Sequence, residues 1–108
     1  MRIINRKEFL ALPKNIVFSY YDPCVFNGLF IKGESWTEDF LYDDLIAPIY
    51  SDNSDDLSDK CQLAEDGENI KLDFNYTGRE GLFDDKQLFA IYTKEDVKQM
   101  IERLTLCQ

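Results

Sequence analysis

The side chains that could do chemistry in this sequence are mostly carboxylates, and the densest group of them is Asp52, Asp55, Asp56 and Asp59. Paired carboxylates can bind Mg²⁺ or Ca²⁺, or act as acid and base in glycoside hydrolysis when their surroundings separate their pKa values. This group lacks the glycine and the terminal glutamate of an EF-hand loop. We therefore expect no metal site and no cofactor, and a carboxylate-based enzyme is the least favoured class.

Other common catalytic designs are also missing. The chain has no histidine, which removes the commonest general base at neutral pH, the Cys-His and Ser-His pairs and the commonest zinc ligand. Its five glycines form neither a dinucleotide-binding fingerprint nor a phosphate-binding loop. Cys24, Cys61 and Cys107 are odd in number and widely spaced, which predicts reduced thiols rather than disulfides or a metal knuckle. These observations predict a non-enzymatic protein.

The uneven distribution of charge is the most informative feature. The chain has 21 acidic and 12 basic residues, a net charge of −9. From Glu38 to Glu68 eleven acids accompany one base, Lys60, so this segment carries −10 and the rest of the chain +1. Duplex DNA presents one negative charge per about 1.7 Å of its axis, so a dense array of carboxylates can compete for a nucleic-acid-binding surface on another protein. The alternative is that the acids only keep a small protein soluble.

We predict that the contacts to such a basic partner come from the first part of the acidic segment. If residues 52–59 were helical, Asp52, Asp56 and Asp59 would share one face. Trp36 precedes the segment and is the aromatic residue that we expect at an interface, with a core position as the alternative. Direct binding of nucleic acid is disfavoured because the basic residues are dispersed. The predicted contact residues are Trp36, Glu38, Asp39, Asp43, Asp44, Asp52, Asp55, Asp56 and Asp59.

A single domain over residues 1–108 must position these groups, because a second core would not fit this length. Asn5 and Thr93 are typical N-cap residues, and we expect helices from there to about Leu12 and Leu106. Asn27-Gly28 indicates the turn of a hairpin, and strict alternation over 70–76 indicates an amphipathic strand. The strands are expected at 2–4, 15–21, 29–32 (ending at Gly33), around 40–42, 70–76 and 87–92. For the stretch around 40–42 a helical turn is the alternative.

Two further expectations concern the acidic segment and the last helix. We expect the acidic segment 51–68 to be mobile, since residues 51–59 have the composition of a loop, and this loop leads into a short helix over Leu57 to Ala64. The last helix places Val97, Met100, Ile101 and Leu104 on one stripe facing the core. The pattern as a whole predicts the α+β class, a small antiparallel sheet with the C-terminal helix packed on one face. No apolar run would cross a bilayer and no secretion signal is visible, so we expect a soluble cytoplasmic protein without membrane contacts.

Four stretches of the first 45 residues carry a resemblance to a known group of proteins: 5–13, 17–20, 23–26 and 31–34. In these stretches the chain resembles small, functionally uncharacterised acidic proteins of tailed phages and prophages. Such proteins are often antagonists of host machinery, including anti-CRISPR and anti-restriction proteins, some of which mimic nucleic acid. The resemblance implies a phage-encoded inhibitor that occupies the basic surface of a host defence protein. The alternative is a structural or accessory module whose apolar strand faces mediate assembly and whose acidity is incidental.

Overall fold

The computed structural model describes all of residues 1–108, which form six strands and three helices. The strands pair without a parallel crossover, as expected for the α+β class. No helix has the length and apolar character needed to cross a bilayer. In chain order the elements are β1 (Arg2–Ile4), α1 (Arg6–Leu10), β2 (Val17–Asp22), β3 (Val25–Trp36), β4 (Asp39–Asp44), α2 (Ser54–Glu65), β5 (Gly78–Arg79), β6 (Leu88–Ile91) and α3 (Lys94–Thr105).

The six strands form one sheet in the order β1-β6-β2-β3-β4-β5, and every neighbouring pair is antiparallel. The last strand, β6, lies between β1 and β2, so the two ends of the chain meet in the sheet. The C-terminal helix α3 follows directly. The predicted fold class, an antiparallel sheet with a C-terminal helix, is confirmed.

The core lies between α1 and one face of the sheet, and it is mainly aromatic. Phe9 of α1 is fully buried and stacks on Phe89 of β6 at a ring-centroid distance of 4.1 Å. Its ring also makes edge contacts with Phe18 at 4.7 Å and with Phe40 at 4.8 Å. Edge-to-face and stacked pairs of this kind contribute about 0.5–1.5 kcal/mol each beyond the burial of their area. One short helix thus holds strands β2, β4 and β6 together.

The predicted N-caps are both present. The Asn5 side chain accepts from the backbone N–H of Glu8 at 2.9 Å. Thr93 and Asp96 form a reciprocal capping box, with bonds of 2.9 and 3.0 Å. These motifs could be predicted because donor and acceptor lie three residues apart in the chain. Helix α1 ends at Leu10, two residues earlier than expected.

The β2–β3 hairpin turns earlier than the sequence suggested. Its tip is Pro23 and Cys24, between the paired residues Asp22 and Val25. The predicted turn at Asn27-Gly28 is wrong, because these residues lie inside β3. Gly28 has a φ of +72° where Ser19 faces an extra residue of β3. This β-bulge keeps Phe30 on the core face.

Strand β3 also runs past Gly33, where we expected it to stop. It continues to Trp36, with a second irregularity between Lys32 and Ser35 in its pairing with β4. A Cβ at Gly33 would lie 3.0 Å from the Cβ of Leu41. The glycine is therefore needed for the close approach of the two strands rather than for a turn.

Lys32 is buried in the same region although it is charged. Its side-chain ammonium donates to the carbonyls of Leu12 and Gly33, at 2.9 and 3.1 Å, and to the Ser35 hydroxyl at 2.6 Å. Burial lowers the pKa of Lys32. All three donors have acceptors, so this lysine ties β3 to the loop that follows α1.

The strand predicted over 70–76 is wrong. Only Leu72 pairs, in an isolated bridge with Ile49. The neighbouring residue Pro48 has no N–H and can only accept, from Asp73 at 2.7 Å, while the Asp73 side chain accepts from the N–H of Asn75 and turns the chain. Apolar and polar residues do alternate over 70–76, but no second strand is free to pair with this segment.

Helix α3 forms as predicted, but its apolar stripe is only partly covered. Val97 and Met100 are half-buried, whereas Ile101 and Leu104 are exposed, so the expectation that all four face the core is wrong. Leu29 alternates with the core residue Phe30 along β3 and lines a groove together with α3. The helix therefore lies over the sheet face opposite α1, and its second half extends beyond the covered part.

Candidate partner-binding surface

The short helix expected over Leu57 to Ala64 is present as helix α2, which begins three residues earlier, at Ser54, and so includes part of the expected mobile loop. Asn53 caps its N-terminus by accepting from the N–H of Asp56 at 2.9 Å. At its C-terminus the N–H of Gly67 bonds the carbonyl of Ala64 and the N–H of Glu68 bonds that of Leu63, which is a Schellman motif. Gly67 takes the left-handed conformation, with φ of +94°, that this motif requires. Local capping explains the helix even though an acidic composition suggested a loop.

No residue of α2 is buried. Isolated helices of about 12 residues are marginal in water, and most helices in proteins depend on packing one apolar face. Helix α2 is joined to its own chain chiefly through Lys60, which donates to the carbonyl of Tyr50 at 2.8 Å and lies over the Tyr50 ring. Leu57 and Leu63 remain 40% and 46% exposed. The helix is therefore presented to solvent on most of its surface.

The acidic side chains of α2 differ in their exposure and in the contacts that they make with other groups of the chain. Asp56 accepts from the N–H of Asp52 and pairs with Lys60 at 3.0 Å, and these two contacts lower the pKa of Asp56. It is only half-exposed. Asp55 and Asp59 are exposed, form no ion pair and lie four residues apart on one side of the helix. Asp52 precedes the cap and lies outside the helix, so it does not belong to the helical face predicted for Asp52, Asp56 and Asp59.

Asp39 is not part of this surface. It is 1% exposed, and its carboxylate accepts from the backbone N–H groups of Phe40 and Gly81, at 2.8 and 3.0 Å, and from the side chain of Arg79. Burial alone would raise the pKa of Asp39, but these hydrogen bonds outweigh it and the pKa is lowered. The prediction of Asp39 as a partner contact is corrected, since the carboxylate serves the interior of its own protein.

The remaining predicted acids lie at the two ends of β4. Glu38 is exposed just before the strand, whereas Asp43 and Asp44 are its last residues. Asp43 accepts from the hydroxyl of Thr77 at 2.7 Å and Asp44 from the N–H of Ile46 at 2.8 Å. Five steps along a strand span about 17 Å. The structure therefore separates Glu38 from Asp43 and Asp44 rather than joining all the predicted acids in one patch.

Trp36 belongs to a second exposed group at the Glu38 end. The guanidinium of Arg79 lies 5.8 Å from the centre of the Trp36 ring and 5.9 Å from that of Phe83. Trp36 is 44% exposed and Phe83 46%. Tryptophan and arginine in contact are the residue types that dominate binding energy at protein interfaces. We call Trp36, Arg79 and Phe83 the aromatic platform. The expectation of an interfacial Trp36 fits its exposure, but sequence reasoning missed Arg79 and Phe83.

A buried ion pair holds the platform in place. Arg6 of α1 donates two parallel hydrogen bonds to the carboxylate of Glu80, at 3.0 and 2.9 Å, and a third to the carbonyl of Glu38 at 2.7 Å. Hydrogen bonding to Glu80 raises the pKa of Arg6. The pair fixes residues 78–81 against α1 and the β3–β4 turn.

No group of three or more cysteine, aspartate or glutamate side chains is arranged to hold a metal ion. Comparisons with protein-family models, curated proteins and solved structures returned no match for this chain. The surfaces just described are therefore the basis for a functional proposal.

Proposed function

We propose that this protein is a non-enzymatic inhibitor, encoded by a phage, that binds a basic, nucleic-acid-binding surface of a host defence protein in the host cytoplasm. The observation that carries the proposal is the state of α2, a capped helix with no buried residue and with the unpaired acids Asp55 and Asp59 on one side. The 77 residues outside segment 38–68 carry a net charge of only +1, so they do not offset the −10 of the segment.

How closely α2 can mimic the charge of duplex DNA depends on the spacing of its acids. Four acids, Asp52, Asp55, Asp56 and Asp59, fall within seven residue steps, which span about 10 Å at the rise per residue of an α-helix. Duplex DNA carries about six charges over the same length. The helix is therefore a partial mimic. We expect its binding to be driven by charge and to weaken steeply as salt rises.

The first experiment is capture of partners by the tagged protein from a bacterial host lysate at low and at high salt, followed by mass spectrometry. We expect a nucleic-acid-binding protein that is retained at low salt and released at high salt. Adding a short DNA duplex in excess should displace it, because the duplex and α2 would occupy the same basic surface. A partner that stays bound in the presence of the duplex would contradict the proposal.

Matched charge variants test whether α2 is the contact. Asp55→Lys with Asp59→Lys should abolish capture. The control, Glu8→Lys with Glu102→Lys, makes the same change in net charge at two exposed helix positions outside the acidic segment and should keep most of the binding. Equal losses in the two variants would show that only the overall charge matters, and the proposed role of α2 would then be wrong.

A further inference from the structure

An apolar groove of about 470 Å³ lies between α3 and the start of β3. Its apolar lining includes Phe26 and Leu29 from the strand and Met100 and Leu104 from the helix, with Arg103 at the same site. Phe26 is 50% exposed and Leu104 is 62% exposed. The groove is thus an open apolar surface on the sheet face opposite α1, far along the chain from the acids of α2.

Apolar side chains at the end of α3, beyond the groove lining, are also exposed to solvent. Every residue from 101 to 108 is exposed, and among them Ile101 is 57% and Leu106 is 87% exposed. Side chains of this size are usually covered in a folded protein, and contiguous exposed patches mark interaction sites. The groove and the apolar helix end are adjacent on one molecule. A two-fold contact needs both a receptor surface and a complementary insert on the same face.

The charge of α3 favours a second copy of this chain as the occupant. The helix has three bases and three acids, so its net charge is zero, whereas the whole chain carries −9. Two copies that met through the acidic segment would repel each other. Contact through α3 avoids bringing net charge together, and a strongly basic or acidic partner would find no net charge there to attract it. The charged residues are Lys94, Lys98 and Arg103 against Glu95, Asp96 and Glu102.

We propose that two copies of this protein associate through α3, with the end of the helix from each copy covering the groove of the other. The contact does not depend on the proposed inhibitor function. Salt distinguishes the two, because screening weakens binding to a basic partner, whereas it reduces repulsion between two acidic copies and leaves apolar contact intact. The dimer should therefore persist at the salt concentration that releases the partner.

Analytical ultracentrifugation over a range of protein concentrations tests the proposal. We expect the wild type to shift from monomer to dimer. Ile101→Ser with Leu104→Ser should weaken the dimer by at least about tenfold, since two apolar side chains lose their burial and net charge is unchanged. The control, Phe74→Ser with Leu82→Ser, replaces side chains that are 71% and 73% exposed elsewhere and should leave the dimer intact.

Two results would overturn the proposed dimer. A wild type that stays monomeric at every concentration would exclude the dimer. Equal weakening by the α3 variant and the control would show that association is not specific to the groove. Since Ile101 and Leu104 are exposed in the monomer, their replacement should leave the fold unchanged, and circular dichroism of each variant checks this.

Discussion

The buried pair of Arg6 and Glu80 offers the sharpest test of how this fold holds together. The two side chains are 4% and 2% exposed, and they meet through two hydrogen bonds of 3.0 and 2.9 Å. Replacing either partner with methionine leaves the other charge buried without its counterion. Breaking a buried pair in this way costs about 3–5 kcal/mol. That is a large part of the roughly 5–15 kcal/mol that stabilises a domain.

The double variant should behave differently from the sum of the single ones. Arg6→Met with Glu80→Met leaves no unpaired charge, but the carbonyl of Glu38 and the N–H of Leu82 lose their partners. We expect a cost of about 1–3 kcal/mol for each polar group left unsatisfied. The double variant should thus be less destabilised than the sum of the two single variants, by a coupling energy of about 2 kcal/mol or more.

Urea unfolding followed by fluorescence measures these values. Trp36 is the only tryptophan and lies beside Arg79 on the aromatic platform, so its emission reports the region that the pair supports. Single variants that lose less than about 1 kcal/mol would place the pair in the range of exposed ion pairs. A double variant equal to the sum of the single variants would show that the two side chains do not interact.

Three further predictions concern other parts of the fold. The pKa of Asp39 is lowered in the folded protein, so the stability that its carboxylate provides should be fully present above the ordinary carboxyl pKa of about 4 and be lost as the pH falls through the folded-state pKa. The difference in unfolding free energy between wild type and Asp39→Asn should therefore shrink from pH 7 to pH 3. Gly33→Ala should lose about 1–3 kcal/mol in urea unfolding, because the added Cβ would meet Leu41 at 3.0 Å; an unchanged midpoint would contradict the close approach of β3 and β4. Asn53→Ala should speed amide exchange in α2 about fivefold while β6 is unaffected, and equally faster exchange across the whole sheet would not fit a locally capped helix.

Several features of this protein could be predicted from sequence because the interacting groups are near neighbours in the chain. The caps at Asn5 and Thr93 each join residues three positions apart. The strands around Phe18 and Phe89 follow from runs of β-branched and aromatic residues, which favour extended structure. The clustering of acids in residues 38–68 and the prediction of an interfacial Trp36 also came from composition and position alone. What failed locally was the turn predicted at Asn27-Gly28, which became a bulge while the chain turned at Pro23 and Cys24.

The tertiary structure decided everything that depends on a distant partner. Asp39 looked like its acidic neighbours, but it is buried because Arg79, 40 residues away, lies beside it, and Arg6 meets Glu80 across 74 residues. The alternation at 70–76 produced no strand because Pro48 limits its only neighbour. The sequence by itself determined which segments could be helical or extended and where the charge lies. Only the packed sheet decided which acids stay in water and which face of α3 is left uncovered, because burial depends on contacts that local pattern does not encode.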